Sequence, residues 1–132
     1  MKPNGHVLKF IVRNDVYPYP VAFWFGPHDE KAMVRWVHRN RLGNRSHLNL
    51  LESDVAACFA MHGSSLVWLK KEPDRITEAG TLVHEVAHAA FNCADYLGFK
   101  HSTKSEEFYT YLIQYLTTRA MRRLAQLRRV PR

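Results

Sequence analysis

The 132-residue sequence predicts a single α+β domain in which a small antiparallel sheet packs on helices. Three features carry this reading. Apolar residues recur at helical spacing in three long stretches. Two short runs rich in apolar and β-branched residues flank His62-Gly63-Ser64, a hairpin signal. The balance of 46% apolar to 23% charged residues suits a chain that buries one modest core.

The elements follow in order. His6 to Val12 predicts a strand, with Val7, Phe10, Ile11 and Val12 supplying its apolar and β-branched character. Val16 to Pro27 holds Pro18, Pro20 and Pro27, and each proline disfavours helix in the residue before it, so this stretch is extended or turned. A helix is predicted over Asp29–Asn40, with Ala32, Met33, Trp36 and Val37 on its apolar face. Strands are predicted over Val55–Met61 and Ser65–Lys70. Glu72-Pro73-Asp74 ends the second, and Asp74 is a good N-cap for a helix over Arg75–Leu97. Gly98 closes that helix. Thr103-Lys104-Ser105-Glu106 has the form of a capping box and opens a last helix to Leu127. Its apolar face is Phe108, Tyr111, Leu112, Tyr115 and Leu116.

Composition narrows the setting. The amino terminus lacks the apolar run of a secretory signal, and no stretch reaches the roughly 18 apolar residues of a membrane span. Cys58 and Cys93 stand far apart and outside any Cys-x-x-Cys pair, which predicts two free thiols in a reducing cytoplasm. The formal charge is +7, and residues 119–132 hold six arginines without one acid. A basic end of that kind suits a polyanionic or acidic protein partner, or simply a solvated helix terminus favoured by the helix dipole.

The chemistry lies in His84-Glu85-Val86-Ala87-His88. Within a helix, residues four apart share one face, so two imidazoles can reach a single Zn²⁺. Glu85 lies about 100° round the helix, placed to take a proton from a water on the metal. The expected apolar face is Ala79, Leu82, Val83, Val86, Ala87, Ala90 and Phe91, with both histidines beside it, in a site between packed helices. A third protein ligand is required, and the fourth position must stay open. Glu106 and Glu107 open the next helix; Glu107, beside the aromatic face, is the preferred ligand, with Glu106 and then His101 as alternatives. Tyr109, Tyr111 and His62 are candidate oxyanion partners.

These residues resemble the zincin metallopeptidases, within them the gluzincin branch, whose third ligand is a glutamate on a following helix. The five-residue motif matches in full, and Glu107 matches in type and approximate spacing. Phe91 and Ala94 stand where the metzincin branch has a glycine and its third histidine. The span Ser65–Leu116 also resembles small HExxH proteins of tailed bacteriophages, through Trp68-Leu69-Lys70, Thr81–Glu85 and Glu107–Leu112. The resemblance implies one zinc ion per chain, a peptide or protein substrate, and substrate binding as an added strand along Ser65, Leu66, Val67, Trp68 and Leu69. Two departures stand out. The chain has no room for the second cleft-forming domain of the larger peptidases, and Tyr111 occupies the place of an acid that supports a ligand histidine there. Two other functions compete: a structural or assembly protein stabilised by zinc, and a nucleic-acid-associated protein acting through Arg119–Arg132.

Overall fold

The computed structural model describes residues 6–43, 45–50, 54–74, 76–100, 102 and 105–129. The predicted α+β class holds. Four strands, β1 (Leu8–Val12), β2 (Val21–Phe25), β3 (Ala56–Ala60) and β4 (Ser65–Leu69), join three helices, α1 (Glu30–Arg39), α2 (Ile76–Leu97) and α3 (Glu106–Arg129).

Two expectations about the sheet are corrected. Residues 21–25 form a strand inside the proline-bounded stretch, because Pro20 and Pro27 lie just outside its ladder. The sheet is also mixed rather than antiparallel. Its order is β1-β2-β4-β3, with β2 and β4 parallel and the two outer pairs antiparallel. The tight hairpin between β3 and β4 turns through His62 and Gly63, at φ 58° and 91°. A side chain at Gly63 would also press on the Tyr96 ring, 3.3 Å from its Cβ position.

Every residue of β2 and β4 is buried, because helices cover both faces of the sheet. Alternation sorts their side chains. Phe10, Val21, Phe23, Phe25, Val67 and Leu69 join Leu82, Val86, Leu112, Leu116 and Leu124 of α2 and α3. Ala22, Trp24, Leu66 and Trp68 join Met33, Trp36 and Val37 of α1 on the other side. The result is three layers: α1, the sheet, and the α2–α3 pair.

The helix ends obey local rules. Asp29 caps α1 by accepting the Ala32 amide at 3.1 Å. Gly98, at φ 80°, follows α2. The proposed capping box falls partly on Thr103 and Lys104, outside the described residues; α3 begins at Glu106, preceded by Ser105, whose hydroxyl donates to the Ser102 carbonyl. Among the described residues no helix is long and apolar enough to cross a membrane.

Candidate metal centre

The buried arc of α2 is Leu82, Val86, Ala89, Ala90, Cys93 and Ala94, with Glu85 at its border. The small residues in it let the helix lie close to the sheet. This arc differs from the expected one: Val83 and Phe91, predicted as core, are each 42% exposed. The rotation has a consequence for the histidines. His84 and His88 fall opposite the buried arc and are exposed, so they lie on the outer surface of α2 and not between packed helices.

His84, Glu85 and His88 each present one ligand atom, and these atoms lie within 4.8 Å of one another. The imidazole centroids are 4.9 Å apart, with the rings inclined by 75°. Imidazole nitrogens and carboxylate oxygens are donors that zinc accepts, at bond lengths of about 2.0–2.1 Å. Glu85 is only 8% exposed. Burial raises its carboxyl above the ordinary 4.5, while His84 and His88 pull it back down.

The carboxylate of Glu85 acts on β3. Burial first, and then the Glu85 charge, push the Cys58 thiol up to about 12, with a hydrogen bond from Ser65 opposing them. Around Cys58 runs a polar chain that the sequence did not suggest. Asn92 Nδ2 donates to Ser65 Oγ at 3.1 Å and approaches Cys58 Sγ at 3.7 Å. The Tyr19 hydroxyl lies 2.7 Å from Ser65 Oγ and donates to the Ser64 carbonyl at 2.9 Å. The available signal was Asn92 itself, an amide two turns after Glu85 within an apolar stretch.

The remaining predicted residues are placed as follows. Glu106 and Glu107 are exposed in the first turn of α3, and neither joins the metal-ligand group. The way α3 packs explains this. Phe108 sits 4.6 Å from Phe99 and Tyr109 sits 5.0 Å from Phe91, so α3 starts alongside the last turns of α2, past His88. His101 lies outside the described residues. Tyr109, half-buried, borders the histidine face through Phe91; burial and then the Asp95 charge raise its hydroxyl above the ordinary 10.0. Tyr111 turns away toward Asn14 and Tyr17, and His62 packs on Tyr96 at 5.7 Å.

The expected substrate strand is corrected. Ser65–Leu69 is β4, flanked by β2 and β3, so neither of its edges is open for an added strand. The outer strand on the α2 side is β3. No protein-family model, curated protein or solved structure matches this chain.

Proposed function

We propose that this protein is a zinc-dependent metallopeptidase in which His84 and His88 hold the metal and Glu85 is the general base. The observation that carries the proposal is the grouping of two exposed imidazoles with one buried carboxylate, all ligand atoms within 4.8 Å, on a single helix. Zinc held there would supply Lewis acidity and bring the pKa of a water molecule toward 7. Glu85 would take the proton of that water as it attacks the scissile carbonyl and pass it to the leaving amine. Partial desolvation favours this role, because a carboxyl raised above 4.5 is a stronger base.

Glu107 is the proposed third ligand, with Glu106 its alternative. Both stand outside the group, so the assignment requires the first turn of α3 to close toward His88 as metal binds. The zinc affinities of Glu107→Ala and Glu106→Ala decide between them. A substrate strand would add along the outer strand β3, beside α2, and Tyr109 is the candidate donor to the developing oxyanion. The free state of Cys58 and Cys93 supports a cytoplasmic setting. A purely structural zinc site needs four closed protein ligands. With Glu85 kept as the base, the described group supplies two imidazole ligands from one helix, short of such a closed set, and this supports the open, catalytic alternative.

Zinc titration calorimetry and peptide-library cleavage test the proposal together. Wild type should bind one zinc ion and cleave. Glu85→Gln should keep the zinc and lose about 10²–10⁴-fold in turnover. His84→Ala should lose both. A wild-type protein that binds no zinc, or a Glu85→Gln variant that cleaves as wild type does, would overturn it.

A further inference from the structure

The flank of α3 turned toward β1 carries a second surface, separate from the histidines. Tyr111, Tyr115, Arg119 and Arg122 follow one another along the helix at intervals of three or four residues and line a groove of about 320 Å³. Arg119 and Arg122 also line an adjoining groove of about 180 Å³, where Arg123 and, from the end of β1, Arg13 join them. Among the described residues no acid lines either groove, and the sequence from residue 108 to 132 contains none.

The helix dipole does not account for this placement. It favours cations only in the last turn of a helix. Arg119, Arg122 and Arg123 lie further in, while Arg128, in the last turn, is paired with Glu72 at 3.0 Å. The groove is also organised. Arg119 lies over the Tyr115 ring, 5.3 Å from its centroid, and donates Nε to the Tyr115 hydroxyl at 3.3 Å. That hydroxyl donates to the Arg13 carbonyl at 3.0 Å, which ties the helix to the end of β1. Tyr111 is 40% exposed, and its ring is inclined by 31° to that of Tyr115, 5.9 Å away.

We propose that this groove binds single-stranded nucleic acid. Guanidinium forks match phosphate oxygens, and an exposed tyrosine offers a face for stacking a base without regard to its identity. From Tyr111 to Arg123 the helix rises about 18 Å, a track several nucleotides long. The tyrosine face at the head of an arginine track pairs base stacking with phosphate contact, the combination single-strand binders use, and an acidic protein partner is the alternative that the test separates. The metal centre lies elsewhere: Tyr109, on another side of α3, meets Phe91 of α2, whereas Tyr111 and Tyr115 turn toward Asn14 and Arg13.

Fluorescence anisotropy of a labelled oligothymidine of about 15 nucleotides on the full chain provides the test. Four arginines on phosphates give a slope of log K against log salt of about −2.8, so affinity should fall about 50-fold from 50 to 200 mM salt. Arg119→Ala with Arg122→Ala should halve that slope, and Tyr111→Ala should weaken binding about fivefold or more. Far-ultraviolet dichroism and zinc content should stay at wild-type values in all of these variants. Three results would overturn the proposal: a flat salt response, wild-type binding by the double arginine variant, or Tyr111→Ala binding like wild type while heparin or an acidic peptide competes fully. The last would mark a general polyanion surface. Because the variants leave the histidines in place, the zinc reading stands or falls independently.

Discussion

Tyr19→Phe probes the polar chain beneath α2 and makes a prediction that changes with pH. The Tyr19 side chain is buried, and its hydroxyl takes part in two hydrogen bonds, at 2.7 and 2.9 Å. Tyr19 donates its one proton to the Ser64 carbonyl, so the Ser65 hydroxyl donates to Tyr19 and accepts from Asn92. Each bond contributes about 0.5–1.5 kcal/mol net. The abandoned groups keep other partners, since the Met61 amide donates to the Ser64 carbonyl and Asn92 to Ser65 Oγ. The variant should therefore be about 1–2 kcal/mol less stable at pH 7.

Alkali should shrink that deficit. Burial, the largest cause, pushes the Tyr19 hydroxyl from 10.0 to about 12, with the Ser65 hydrogen bond opposing it. The unfolded chain then releases this proton at lower pH than the folded one. Wild type loses stability as pH rises from 10 toward 12, and phenylalanine has no proton to lose. At pH 10.5 the difference amounts to about 0.8 kcal/mol. Cys58 and Cys93, raised to about 12 and about 11 mainly by burial, are present in both proteins, so the difference between them reads chiefly the Tyr19 hydroxyl. Urea unfolding followed by far-ultraviolet dichroism at pH 7 and 10.5 measures the two deficits. A deficit that is unchanged between these pH values, or that grows, would refute the claim of a desolvated hydroxyl.

Other perturbations have simpler outcomes. Leu116→Ala removes a fully buried side chain where α3 meets the sheet and should cost about 2–5 kcal/mol in urea unfolding. Asp29→Ala removes the acceptor for the Ala32 amide and should cost about 1 kcal/mol, visible as a lower thermal midpoint. In metal-free protein, Glu85→Gln should stabilise the fold above about pH 4.5 and have little effect below it. A carboxyl raised by burial ionises more readily in the unfolded chain, so wild type loses stability as pH climbs past the ordinary value. Equal melting of the two proteins at pH 7 would contradict that desolvation.

The sequence by itself determined the parts governed by neighbours along the chain. The α1 helix begins where Asp29 can cap it, the β3–β4 hairpin turns where His62 and Gly63 adopt positive φ, and α2 ends at Gly98. Helical periodicity likewise fixed that His84, Glu85 and His88 gather on one helix, because four residues make about one turn. Tertiary structure decided the rest. The prolines around residues 21–25 hid a strand whose ladder partners lie 17 residues back at most on one side and about 44 ahead on the other. Parallel pairing of β2 with β4, which closes the edge of Ser65–Leu69 that β3 leaves open, comes from the crossover through α1 and β3 and leaves no local trace. The face of α2 that meets the sheet was misread because a buried glutamate counts as polar in any pattern, while Val83 and Phe91 count as core. Only the packing of the α2 arc from Leu82 to Ala94 against the sheet, and of Phe99 and Phe91 against the start of α3, sets which side of the helix faces water and where Glu107 stands relative to the histidines.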